Sequence, residues 1–185
     1  MAGIFNEAVL TQKGIALLAK AQAASGTITL TRAVTGAGEH SSSEDLSSCT
    51  ALTDQRQEFA LSNVKVQNST NVYVKFVMSN ATDMDGNSLS TGYYVKEVDL
   101  YAKGSDGTEV LYAIATAVTD QWDYMPSYND LLPSTITVEF LIEVANAEEV
   151  TIESPNSMYL YDDTTGDKYV LGVDNGLLYY EEVEE

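Results

Sequence analysis

Few residues have types and spacing suited to chemistry. Asp83-Met84-Asp85-Gly86-Asn87 sets three oxygen-bearing side chains at the first alternating positions of a calcium loop. Ser88 stands at the sixth position, where such a loop turns on glycine, and Tyr94 at the twelfth, where a glutamate would supply two oxygens. The stretch therefore reads as a solvated loop between strands. Glu97 and Asp99 share one face of a strand, and paired carboxylates are the equipment of glycoside hydrolysis, but such neighbours lie closer than an inverting enzyme requires. His40 and Cys49 are the sole members of their types, which argues against a His-rich or cysteine-based zinc site and excludes an internal disulfide. His40 lies in a polar stretch, is expected to be exposed, and has no visible triad partner. Asp162, Asp163 and Asp167 read as a solvated acidic turn. Without a phosphate loop, nucleophile elbow or zincin motif, the sequence predicts a non-enzyme with no catalytic residues, no metal and no cofactor.

The chain of 185 residues is long enough to bury a core, as one domain with at most a small appendage. Its 28 acidic and 9 basic residues give a formal charge of −19. Phosphate backbones are neutralised by clustered Lys and Arg, which are lacking, so nucleic acid is not an expected partner. Gly14 to Ala24 is apolar and small, but Glu7 precedes it and Lys20 interrupts it, which argues against a secretory signal. No segment has the length of a membrane span, and synthesis and assembly in the cytoplasm are expected.

The elements that would position these residues are mostly strands. Tyr93 to Lys103 alternates, with Val98, Leu100 and Ala102 on one face and Glu97, Asp99 and Tyr101 on the other, the pattern of a half-buried strand. Gly104 to Gly107 reverses it, and Val110 to Val118 returns with apolar residues on both faces, so this second strand should be covered on both sides. Ahead of this hairpin, Thr11 is the expected N-cap of a helix in which Leu10, Gly14, Leu17, Leu18 and Ala21 recur at helical spacing, ending at Ser25-Gly26. Strands are expected at Thr27 to Val34, Phe59 to Gln67 and Asn71 to Asn80, with Thr135 to Val144 as the last strand of the main domain. Gly36 to Thr50 and Ala81 to Ser90 read as loops. Pro155-Asn156-Ser157 marks a boundary between a domain over 1–154 and a module over 155–185. In the module, Met158 to Tyr161, Lys168 to Val173 and Leu177 to Tyr180 form short strands, the last two joined at an Asn175-Gly176 turn. A meander of that size needs a neighbour to pack on.

Several of these stretches carry a resemblance. Gly92-Tyr93-Tyr94-Val95-Lys96-Glu97-Val98 with Leu100-Tyr101-Ala102, followed by Glu109-Val110-Leu111-Tyr112-Ala113, resembles the phage tail-collar fibre family, with Asp99 where that pattern has glycine. Val9-Leu10-Thr11-Gln12-Lys13-Gly14 with Leu17 to Ala23, the segment from Trp122 to Pro126, and Ala145 to Thr151 are similar to further motifs of that family, so the resemblance spans about four-fifths of the chain. The C-terminal module looks like one found at the ends of some phage tail proteins. The resemblance implies an α+β fold, a helix packed on an antiparallel β-sandwich followed by a small β-meander, and gives Glu97 a structural role beside Lys96. It implies a structural protein of a phage tail or phage-tail-like particle, connecting fibres to the baseplate. Little chain follows the matched stretch, which favours a collar or adaptor over direct receptor binding. Other tail, baseplate or fibre proteins are the implied partners, and a homotrimer the implied assembly.

Contacts between copies are expected at Val110, Tyr112 and Ile114 of the doubly apolar strand and at Tyr159, Tyr161, Tyr169, Tyr179 and Tyr180 of the module, although these tyrosines are as well explained by a local aromatic core. A host-surface carbohydrate-binding module using Trp122, Tyr124 and Tyr128 is the main alternative, and a hydrolase acting through Glu97 is the second.

Overall fold

The computed structural model describes residues 5–24, 26–68, 71–143, 151–153, 158–161, 168–174 and 177–182, the strands beyond Glu143 by their backbone course. The chain divides into two compact units, Met1–Pro155 and Asn156–Glu185. In the first, β1 (Val9–Leu10) leads into α1 (Gln12–Ala24) and β2 (Thr27–Gly36), and a long loop follows with one 3₁₀ turn at Leu46–Ser48. The chain continues through β3 (Gln55–Phe59), β4 (Leu61–Asn68), β5 (Asn71–Ser79), β6 (Tyr93–Val95), β7 (Glu97–Lys103) and β8 (Glu109–Thr116). It ends with β9 (Asp123–Met125), β10 (Thr135–Glu143) and β11 (Thr151–Glu153).

The helix starts where the sequence predicts it, because the Thr11 hydroxyl accepts from the Gly14 N–H at 3.0 Å and fills one of the donors a first turn leaves free. Its buried stripe is Gly14, Leu17, Leu18 and Ala21, while Ile15 faces solvent. That stripe lies on the largest sheet, ordered β1-β8-β7-β2-β11 with β3 also paired to β2. A three-stranded antiparallel sheet runs β10-β5-β4, and β6 and β9 form a two-stranded ladder. Helix and sheets contribute to one apolar cluster: Leu17 and Leu18 from α1, Ile28 and Leu30 from β2, Leu100 from β7, Phe76 and Met78 from β5, and Val138 and Ile142 from β10. Phe59 and Phe76 stack within it, with ring centroids 6.2 Å apart. The apolar residues that alternate along β5, Val72, Val74, Phe76 and Met78, are all buried.

Two departures from the predicted elements share a cause, a change of pairing partner within the chain. The strand expected from Phe59 breaks at Ala60, where β3 leaves β2 and β4 takes up β5 in the other sheet. The strand from Tyr93 breaks at Lys96, whose N–H bonds Gly36 O and whose carbonyl accepts from Ala117, as pairing passes from β9 to β2 and β8. Apolar alternation runs through the break at Ala60, from Phe59 to Leu61, so periodicity does not register it; at Lys96 the apolar residues shift phase, from Tyr93 and Val95 to Val98 and Leu100, which a reading as one continuous strand passes over. Thr135–Glu143 is not the last strand of this unit, because β11 pairs in parallel with β2, Ile152 opposite Ile28; three residues are too few for a period to be read. The expected half-burial of β7 is also corrected. Glu97, Val98, Asp99 and Leu100 are all buried, because β7 is flanked by β2 and β8 and the loop after β2 closes over its polar face.

In the second unit, β12 (Met158–Tyr161), β13 (Lys168–Asp174) and β14 (Leu177–Glu182) form an antiparallel sheet in that order, with Asp174 opposite Leu177. Asn175-Gly176 and the 162–167 turn lie outside the described residues.

Gly14 fixes how closely α1 sits on β8. A Cβ there would stand 2.1 Å from the Tyr112 carbonyl oxygen, which is backbone and has no rotamer to change. Glycine to alanine inside a helix ordinarily adds about 0.5–1 kcal/mol of stability. Here Gly14→Ala is expected to lower it by roughly 1–3 kcal/mol, as overpacking does. Urea unfolding of the two proteins measures the difference, and stabilisation would show that the helix is not seated so closely.

Candidate functional site

Glu97 begins β7 with its side chain fully buried, and its neighbours explain how that is tolerated. Oε1 accepts from the Gly38 N–H at 3.0 Å and the Asp54 N–H at 2.9 Å; Oε2 accepts from the Thr53 N–H at 3.1 Å and faces His40 Nε2 at 2.8 Å. Four donors occupy the four acceptor positions a carboxylate offers. Both ends of the 37–54 loop are thereby tied to one side chain. Gly38 is required for this, because a Cβ on it would meet Glu97 Oε1 at 2.5 Å and Thr53 Cβ at 2.5 Å. A carboxylate so engaged has no free lone pair with which to attack a substrate or take its proton, so the geometry gives Glu97 the part of a clasp. Lys96 does not share it: its ammonium pairs with Glu39 and lies 4.1 Å from the centre of the Trp122 ring.

Asp99, one turn of the pleat further on, is equally buried, and neither of its oxygens has a hydrogen-bond partner among the described residues. Burial, then the adjacent Glu97 charge, push its pKa up to about 8 against a smaller opposing pull from His40. The acid is therefore largely protonated at neutral pH, which is how two carboxyls coexist on one buried strand face. His40 is not the exposed residue expected from its polar surroundings; its side chain is only 4% exposed. Burial draws the imidazole pKa down, but the hydrogen bond to Glu97 and the nearby Glu97 and Glu44 carboxylates outweigh this and leave it raised.

A cleft of about 420 Å³ opens beside the clasp, with Asn6, Glu39, His40, Lys96, Thr116 and Trp122 among its walls. On the β6–β9 ladder, Tyr94 stands opposite Tyr124, the two rings 5.0 Å apart and tilted by 54°, with Trp122 6.2 Å from Tyr94. Tyr94 and Tyr124 are about half exposed, 51% and 53%. Sequence reading named Trp122 and Tyr124 but missed Tyr94, which only cross-strand pairing reveals. Tyr128 stands apart from these rings in the connection after β9, where its N–H bonds Leu89 O.

Of the residues expected to contact neighbouring copies, Tyr112 and Ile114 are buried within their own chain and Val110 is half-buried. The doubly apolar strand is covered on both sides as predicted, but by this chain's own elements, with β1 and β7 as its sheet neighbours and α1 against it. The Tyr112 hydroxyl has no hydrogen-bond partner among the described residues, and burial raises its pKa. Tyr159 and Tyr161 fall on β12, Tyr169 on β13, and Tyr179 and Tyr180 on β14; their side chains lie outside the described residues. Asp162, Asp163 and Asp167 lie outside them too. In the calcium-like stretch, Asp83 Oδ1 accepts from the N–H groups of Asp85 at 3.0 Å and Asn87 at 2.8 Å, so its carboxylate closes the turn itself.

The class these features define is a β-rich structural module, in which the most deeply buried charge is spent on holding loops. The phage tail-collar fibre protein family, N-terminal, matches residues 1–178, and the chain belongs to that family. The match runs past Thr151, where the motif resemblance ends. Membership makes it a structural protein of the phage virion tail that associates with other tail proteins. No curated protein and no solved structure matches the chain. Among the described residues no helix is long and apolar enough to cross a membrane.

The Asp99 carboxyl generates a pH prediction. Its folded pKa lies above its ordinary 3.8, so the native state keeps a proton that the unfolded chain releases, and stability must fall as pH rises between about 4 and 8. The slope from this one group reaches roughly 1.4 kcal/mol per pH unit. His40, with a raised pKa, contributes in the same direction near the top of that window. Asp99→Asn is expected to flatten the dependence measured by urea unfolding across this range; an unchanged slope would mean that Asp99 is ionised in the folded protein.

Proposed function

We propose that this chain is an attachment piece of a phage tail or tail-like particle, a collar or adaptor that connects fibres to the baseplate, and that it is not an enzyme. The observation that carries the reading is the family match over residues 1–178. The saturation of Glu97 by four donors agrees with a non-catalytic role, because it removes the residue best placed for acid–base work. The same reading takes the two larger sheets, which share one apolar cluster, as the layers of a sandwich, and 1–154 and 155–185 as separate domains, the second docking on a neighbour. Leu131 and Leu132, 78% and 82% exposed in the connection before β10, and the Tyr94–Tyr124 pair supply apolar surface for contacts with neighbouring tail proteins. The working assembly is a homotrimer put together in the host cytoplasm, with the tyrosines of the second unit at its contacts.

The exposed rings of Tyr94, Trp122 and Tyr124 favour a second reading, a carbohydrate-binding surface of a tail fibre. Light scattering after gel filtration is expected to give a trimer mass for the full chain and a smaller species for a chain ending at Ser154; monomers in both would remove the trimer. Tails from particles deleted for this protein should show baseplates without fibres in electron micrographs, and fibre-bearing tails would overturn the attachment role. Glycan-array binding lost in Trp122→Ala with the mass unchanged would move the assignment to the second reading.

A further inference from the structure

The 37–54 loop that Glu97 holds brings together three chemically different ligand groups. A ring nitrogen of His40, a carboxylate oxygen of Glu44 and Cys49 Sγ all lie within 4.8 Å of one another. Glu44 Oε1 is 3.9 Å from Cys49 Sγ, and Glu44 Oε2 is 3.2 Å from His40 Nδ1. These residues lie four and five positions apart in the sequence, and the turn at Leu46–Ser48, capped by Asp45, folds Cys49 back towards the other two.

The orientation of His40 is the independent observation. Its side chain is only 4% exposed, and Nδ1 faces Glu44 Oε2 at 3.2 Å, within ion-pair distance but outside hydrogen-bond geometry, so that the nitrogen and the oxygen both point into the cluster. Nε2 lies 2.8 Å from a Glu97 oxygen that is itself wholly buried. A histidine that donates from one ring nitrogen to a buried carboxylate presents the other as a lone pair, the arrangement by which carboxylates orient and strengthen metal-binding imidazoles.

We propose that His40 Nδ1, Glu44 and Cys49 form a three-residue site for a divalent transition metal of the zinc type, with Glu97 as the positioning residue behind His40. One nitrogen, one thiolate and one carboxylate suit a borderline-soft ion and are a poor set for calcium or magnesium, which take oxygen ligands. In a tetrahedral zinc site, ligand atoms stand roughly 3.3–3.6 Å apart, so the cluster needs to draw in by about 1 Å, within the reach of side-chain rotation. On binding, Cys49 gives its thiol proton to solvent and His40 gives up any proton on Nδ1, since the thiolate and the neutral imidazole are the ligands. His40 and Glu44 also line the cleft, from which water can supply the fourth ligand. The bound ion would also offset the negative charge of Glu44, Glu97 and nearby acids, and would lock the loop at its middle as Glu97 does at its ends.

Cobalt(II) is the probe, because thiolate coordination gives it a near-ultraviolet charge-transfer band. Titrating the chelator-treated full chain is expected to produce that band saturating at one ion per chain, with zinc displacing cobalt and raising the melting temperature. Cys49→Ser should abolish the band, and Glu44→Gln should weaken binding by about 10-fold or more while the circular dichroism spectrum is unchanged. Both residues lie on the loop, outside the apolar core, so these variants test the site without the refolding hazard of replacing His40. Absence of saturable binding, or binding that Cys49→Ser leaves intact, would overturn the site and leave His40 as an imidazolium bridging Glu44 and Glu97.

Discussion

One carboxylate governs the polar half of this structure. Glu97 accepts three backbone N–H groups and faces an imidazole, and those donors come from both ends of a loop that otherwise has few apolar anchors. A buried charge is tolerated only when its hydrogen-bonding capacity is filled, and leaving it unpaired costs several kcal/mol, on the order of 3–5. The dependence runs both ways. The loop cannot open without stranding the charge, and the charge cannot be buried without the loop. Gly38 follows from this, since only a residue without a Cβ lets the backbone approach the oxygen it serves.

The same constraint bears on the next carboxyl. Asp99 lies two residues along the same face with no donor among the described residues, so a second negative charge there would meet both desolvation and the field of Glu97. Protonation is the remaining way to place it in the sheet. Nearer the surface, by contrast, one basic residue answers two acids. Arg32 meets Glu58 at 2.7 Å and Glu109 at 2.8 Å while lying 4.1 Å over the Tyr101 ring, which ties β2, β3, β7 and β8 together at one guanidinium. Lys96 is shared in the same way, between the Glu39 carboxylate and the Trp122 ring.

What the sequence revealed, and what it hid, follows from the range of the interactions. Helix α1 was legible because its cap and stripe are local: Thr11 reaches Gly14, and Leu17, Leu18 and Ala21 recur within the same turns. The edges of β5 and β10 were legible because alternation is local too, and β8 because its run of apolar residues on both faces is local. The break at Ala60 was not, since the strand keeps its period there while changing its partner; the break at Lys96 left a trace in the shift of apolar phase from Val95 to Val98, which a reading as one strand overlooked. The site was hidden for a stronger reason. Glu97 is separated from Thr53 and Asp54 by more than forty positions, and no spacing rule connects a strand carboxylate to the amides of a distant loop. A polar loop around a lone histidine reads as solvent-exposed unless something buried is waiting for it, and here that something is the first residue of another strand. A hint was present in the Gly36-Ala37-Gly38 run, where two small residues clear space for a backbone to close on another group.

The motif that carries the family resemblance is therefore best understood as a piece of mechanics. In Gly92 to Leu100, Tyr93, Val95, Val98 and Leu100 enter the core, Tyr94 faces out, Lys96 switches the chain between ladders, and Glu97 clasps the loop. The Tyr93 hydroxyl lies 2.7 Å from Thr35 Oγ1 and donates to Gln57 at 3.3 Å, joining β6 to β2 and β3 through buried polar groups, and burial lifts its own pKa to about 12. Tyr94 is thus an outward ring whose two sequence neighbours are fixed in the core, and it projects from a ladder whose partner strand supplies Tyr124. An exposed aromatic held this way loses little further freedom on contact, which is the property a docking surface in an assembled tail requires. The buried clasp and the exposed rings are two consequences of the same nine residues, so substitutions that loosen the loop should also blur the surface presented beside it.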